Sequence, residues 1–154
     1  MAALSDYLES GLIHHVFRGQ SFPKPSNISV ALTSGIPLDG HDGGTIPEFS
    51  SSWSGSGTGY DRVDLGSPVE DGNTTWNFRP HEFDAGSGTV KNSGQIIFNP
   101  ALSDWGWVSG VAIVDSSTIG EGNLLMHAQL TNPRIIYTGD NVKFDVDTLE
   151  ISFK

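Results

Sequence analysis

The chain has 154 residues, 36% hydrophobic, 10% aromatic and 17% charged, which suits one compact domain rather than two. Eighteen acidic residues against eight basic ones give a net charge of -10 with no Lys/Arg cluster, which excludes a surface built to grip a phosphate backbone. No apolar run nears the roughly 20 residues that span a bilayer, residues 1–11 lack the basic and apolar regions of a secretory leader, and the absence of cysteine removes disulfides, thiolate nucleophiles and cysteine-bound zinc.

Ser5 precedes Asp6 and Glu9, an N-cap hydroxyl followed by carboxylates at the positive end of a helix. Leu8, Leu12 and Val16 recur every fourth residue and Arg18-Gly19 closes the pattern, so a helix is predicted over residues 5–18. Ser-Phe-Pro-Lys-Pro-Ser at 21–26 must run extended. Residues 27–33 then alternate, with Ile28, Val30 and Leu32 on one face, and predict a strand buried on that face. Residues 34–58 are rich in Gly, Ser, Pro and Asp and form a long loop.

Short strands are expected at 59–65 and 74–78, the second placing Trp76 and Phe78 on one face, with Asp71-Gly72-Asn73 as the turn between them. A strand follows over 89–98, ending at Asn99-Pro100. A longer one over 105–115 carries apolar residues on both faces and so should be central; Gly110 inside it marks a bulge or a close approach of another backbone. Strands at 124–130, 134–137, 142–146 and 149–153 are separated by Gly120-Glu121-Gly122-Asn123, Asn132-Pro133 and Gly139-Asp140-Asn141. The expected architecture is mainly β: an antiparallel, jelly-roll-like sandwich over residues 21–154 with one N-terminal helix and linker over 1–20.

No catalytic or metal-ligating set emerges from this pattern. His14 and His15 point about 100° apart on a helix and cannot share an ion, and His127 reads as a surface or satisfied core histidine on a face with Leu125 and Gln129. The segment Asp39-Gly40-His41-Asp42-Gly43-Gly44 holds oxygens that calcium favours but lacks the EF-hand spacing and its closing Glu, so it reads as a solvated acidic turn. Ser54-Gly55-Ser56-Gly57 fails the nucleophile-elbow spacing, and Gly120-Glu121-Gly122 lacks the third Gly of a dinucleotide fingerprint. An enzyme is therefore not expected, nor a cofactor. Of the four tryptophans, Trp105 and Trp107, two apart, should share a strand face and pack with Trp76 in the sandwich or at a subunit contact. Trp53 in the Gly/Ser loop is the candidate exposed contact.

The opening Met1-Ala2-Ala3-Leu4-Ser5-Asp6-Tyr7-Leu8-Glu9, the helix end His15-Val16-Phe17-Arg18 and the strand Val30-Ala31-Leu32 resemble a family of small tailed-phage virion proteins. Gly59-Tyr60-Asp61-Arg62-Val63, Asp104-Trp105-Gly106-Trp107-Val108, Gly122-Asn123-Leu124-Leu125 and Gly139-Asp140 before Phe144 extend the resemblance along nearly the whole chain, with enlargements at 34–58 and 71–87. The resemblance implies a non-enzymatic structural component of the virion: a tail fibre, baseplate or neck component, or a capsid decoration protein. It also implies assembly in the host cytoplasm and partners among the virion proteins and copies of itself. A trimer is the expected state for a small β protein on a particle, while the acidic balance argues against nucleic acid and the lack of a long apolar run against membrane insertion. Leu8, Leu12 and Val16 are the candidate attachment or inter-subunit stripe. The alternative function is a carbohydrate-binding or lectin-like module that meets a host surface glycan through Trp53.

Overall fold

A computed structural model describes residues 3–48, 57–68, 78–80 and 89–152. A two-residue strand β1 (Ala3–Leu4) leads into helix α1 (Asp6–Arg18), followed by β2 (Ile28–Thr33), β3 (Val63–Gly66), β4 (Phe78–Pro80), β5 (Thr89–Asn92), β6 (Ile96–Ile97), β7 (Gly106–Val114), β8 (Leu124–Ile136), β9 (Lys143–Phe144) and β10 (Glu150–Ser152). β1, β8, β7, β2 and β3 form a five-stranded sheet in that order; β10, β5 and β4 form a three-stranded sheet, and β6 pairs with β9. Every pairing is antiparallel. Side chains alternating along the inner face of the large sheet, Val30 and Leu32 from β2 and Val111 and Ile113 from β7, join Ile96 and Ile151 from the smaller sheets and Phe98 just after β6 in one buried cluster. The result is the expected antiparallel sandwich, its core filled from both layers.

Ser5 caps the helix as its sequence position predicts: its hydroxyl oxygen accepts from Leu8 N–H at 3.2 Å. The same hydroxyl donates to the Leu124 carbonyl, and Ser5 N–H donates to Leu125 O at 3.1 Å. The cap thereby also fixes the start of the helix to β8, which is why a serine at a helix terminus is fully buried.

Two expectations for the large sheet change in the fold. β2 is buried on both faces, because residues 34–48 fold back over its outer side and Ile46 joins Ala31, Ala112, Val114 and Leu124 in a second apolar cluster. The predicted break at Asn132-Pro133 is not a break: β8 runs from 124 to 136 without leaving the sheet. Its register against β7 jumps from Arg134 opposite Val108 to Gln129 opposite Gly110. Leu130 to Pro133 therefore bulge opposite Ser109 alone, and a bulge is where a proline without an N–H is tolerated in a strand. A second irregularity, with Ile113 opposite Met126 but Val114 opposite Leu124, gives β8 an extra residue at Leu125. Leu125 and Met126 accordingly join the inner cluster and Leu124 the outer one, instead of alternating strictly from 124 to 130.

Gly110 is a close approach as predicted: a β-carbon there would collide with Thr33 Oγ1 on the neighbouring strand. The expected strand over 89–98 divides into β5 and β6 at Ser93-Gly94, and the buried Asn92 organises the division. Its amide donates to Gly94 O and Asp145 O, both at 2.8 Å, and its side-chain oxygen accepts from Leu149 N–H at 2.8 Å. One side chain thus substitutes for backbone pairing where the ladder stops.

Candidate functional site

The most constrained polar assembly in the fold is built on Arg62, whose side chain is completely buried. Its Nε–H reaches Glu48 Oε1 and Oε2 at 2.9 and 3.1 Å, and Nη2 donates to Glu48 Oε2 at 2.7 Å and to Gly43 O at 2.8 Å. Nη1 donates to Ser116 O and Glu121 O, each at 2.9 Å. The planar fork of five donors is saturated. Tyr60 completes the group, with its hydroxyl donating to Glu48 Oε1 at 2.8 Å and accepting from Leu32 N–H at 3.1 Å. Three loops, 34–48, 57–62 and 115–123, are therefore held against β2 by one ion pair. A guanidinium with no free donor and no opening to solvent binds no ligand, so this cluster is structural.

Burial pushes the Tyr60 phenol well above its ordinary value near 10, and the neighbouring Glu48 carboxylate adds to the shift. In the unfolded chain the phenol ionises near pH 10, whereas in the fold it holds its proton to higher pH. Its stabilisation is therefore complete below about pH 10 and declines as pH rises beyond that towards the folded value. Tyr60→Phe should unfold at lower denaturant than the parent chain at pH 8, and the gap between them should narrow above about pH 10. Chemical denaturation at both pH values checks this.

The helix carries a different kind of feature. None of its residues is fully buried. Leu8 is half-buried against the inner core, but Leu12 is 37% exposed and Val16 66%. Beside them Ile13 and Phe17 are exposed as well, Phe17 to 81%. A four-residue step advances about 40° beyond a full turn. The predicted stripe consequently rotates by about 80° between Leu8 and Val16, and only its first member meets the sandwich. What remains outside is an apolar face of two neighbouring i,i+4 pairs, Leu12 with Val16 and Ile13 with Phe17. Ile13 and Phe17 complete the stripe that the spacing of Leu8, Leu12 and Val16 shows only in part. On the other side Tyr7 packs on Phe22, with ring centroids 5.7 Å apart.

The family model described as Podophage GP4 fiber I protein gp80 matches residues 3–152. The chain belongs to this family. A comparison with characterised proteins gives no match. A podophage fibre family makes the protein a structural component of a tailed-phage virion, which agrees with the resemblance carried by the sequence motifs.

Those motifs can now be read physically in the fold. Gly59-Tyr60-Asp61-Arg62-Val63 is the strand of chain that delivers Tyr60 and Arg62 to Glu48. In Asp104-Trp105-Gly106-Trp107 the two tryptophans do not share a face. Gly106 has φ +78°, a left-handed conformation that breaks the alternation. Trp105 is buried with its indole N–H on Thr58 O at 2.9 Å, whereas Trp107 is 57% exposed. The Asp104 carboxyl is held below its ordinary range by the Thr138 backbone N–H and hydroxyl, at 2.8 and 2.9 Å. Trp53 and Trp76 lie outside the described residues.

His15, His41, His127 and the acidic turns are engaged in hydrogen bonds within the chain. His127 is buried beside Asp39, with Nε2 2.9 Å from Oδ1, as a satisfied core histidine. Asp42 accepts from Gly44 N–H and the Thr45 hydroxyl, closing a turn. Among the described residues no group of three or more His, Asp or Glu is placed to hold a metal ion. No described helix is long and apolar enough to cross a membrane.

Proposed function

We propose that the protein is a fibre component of a podophage virion which acts by surface complementarity rather than by catalysis, self-associating into a trimer and attaching to other virion proteins through the exposed side of α1. Assembly then takes place in the host cytoplasm, before the particle is released. The observation that carries this reading is the apolar face of Leu12, Ile13, Val16 and Phe17 on a helix whose start is pinned to β8, in a chain of a fibre family. Large apolar side chains clustered on a helix face cost solubility unless a partner covers them. The family description favours a place in the tail fibre over capsid decoration. A net charge of -10 fits a protein that stays clear of the packaged genome.

Light scattering on the purified protein tests the self-association directly. The expected mass is close to three times the 16.5 kDa chain. A monomer at all concentrations would refute the trimer and assign the apolar face to a different virion protein.

A further inference from the structure

A three-fold ring joins its members head to tail, so each copy presents two different surfaces that fit each other. The exposed side of α1 is one apolar surface, and the large sheet carries another. β2 ends at Thr33 opposite Gly110, so residues 106–108 of β7 and 134–136 of β8 continue past it as a two-stranded ribbon. Val108 and Ile136 on one face of the ribbon belong to the inner core. On the other face Trp107 and Ile135 stand directly opposite each other, 57% and 36% exposed, and Tyr137 follows at 55%. Arg134, opposite Val108, belongs to the core-facing side. Aromatic side chains beside an aliphatic one are what association buries at the centre of a contact.

We infer that a second copy of the chain covers this surface: Leu12, Ile13, Val16 and Phe17 of one copy dock on Trp107, Ile135 and Tyr137 of the next, with Arg18 facing Asp104 and Asp140. Placement is the first reason. Ser5 pins the start of α1 to Leu124, whereas Trp107 lies seven residues along β7, about 23 Å, from the Val114 that faces Leu124. Phe17 and Trp107 both stand in solvent, so neither surface covers the other within one chain. Charge is the second reason. Asp104 accepts from the Thr138 backbone and hydroxyl, and Asp140 accepts from Tyr137 N–H at 2.9 Å, which sets both carboxylates at the rim of the ribbon. Both are exposed, and neither has an ion pair among the described residues. Arg18, next to Phe17 at the end of α1, is exposed and unpaired in the same sense. Opposite charges around two apolar patches orient the contact and fix its register. The inference rests on the trimer proposed above and names the two surfaces that would close it.

The test is light scattering on four samples of the full chain: the parent, Trp107→Glu, the double variant Val16→Glu, Phe17→Glu, and an equimolar mixture of the two variants. Each variant keeps one surface intact and loses the other. Both should be monomers with the parent's thermal midpoint, and their mixture should form a one-to-one dimer of about twice the 16.5 kDa chain, because one complete contact remains. Tyr137→Glu, at a second exposed position of the same surface, takes the place of a Trp107→Glu chain that melts early. A closed ring is stronger than a single contact, so the mixture is followed to about a hundredfold the concentration at which the parent assembles. A Trp107→Glu chain that assembles like the parent, or a mixture that stays monomeric throughout, would overturn the contact while leaving the trimer standing. A monomeric parent would overturn the trimer and this contact together.

Discussion

Replacing Arg62 with alanine is expected to cost the protein about 3–5 kcal/mol of folding stability, because it leaves the Glu48 carboxylate buried without its counter-charge. Three backbone carbonyls, those of Gly43, Ser116 and Glu121, lose their donor in the same step. A domain of this size is stable by about 5–15 kcal/mol in total, so the loss takes roughly a fifth of it or more. Glu48→Gln should be severe for the converse reason, with the guanidinium left in a protein interior facing only neutral acceptors. The double variant Arg62→Met, Glu48→Leu should lose less than the sum of the two single changes, since no charge then remains buried. It should still fall short of the parent chain, because the three carbonyls stay unpaired. Urea denaturation of the four proteins measures each quantity, and a change below about 1 kcal/mol for Arg62→Ala would show that the clamp is dispensable.

The apolar side of α1 should behave in the opposite way. Val16→Glu with Phe17→Glu alters two side chains that are 66% and 81% exposed, so folding stability should move by no more than about 0.5 kcal/mol per site. Association should be lost almost completely, because two carboxylates in an apolar contact cannot be desolvated without partners. The expected result is a folded monomer in light scattering where the parent chain gives an oligomer. In the proposed assembly the two clusters divide the work: Arg62 holds the fold, and the apolar side of α1 serves the contact with a partner without holding the fold.

Local chemistry explains which parts of this arrangement were legible in the sequence. Ser5, the four-residue spacing and Gly19 delimit α1 because caps and periodicity act within one or two turns. β7 declares itself central by its apolar residues on both faces, and Gly110 by interrupting them. Arg62 gives no such signal, since Glu48 lies 14 residues away across a loop and the carbonyls at 116 and 121 lie 54 and 59 away. Only the recurrence of Gly59-Tyr60-Asp61-Arg62-Val63 within a family pattern marks it. The continuity of β8 was hidden because Asn132-Pro133 carries the chemistry of a turn, and only the register against β7 reveals a bulge. Trp105 and Trp107 are misplaced by simple alternation because Gly106 permits a conformation that the period of two does not anticipate. Of the predicted attachment stripe, Leu8 is spent on the core, and Leu12 and Val16 point outward with Ile13 and Phe17 as neighbours.

The most direct measurement is the amount of this protein on purified virions when the chain is supplied as the parent sequence or as the Val16→Glu, Phe17→Glu variant. Particles should carry the parent chain at a fixed ratio to the other tail proteins and should lack the variant, although the variant is folded and abundant in the host. Variant and parent incorporated at the same ratio would contradict assembly through α1.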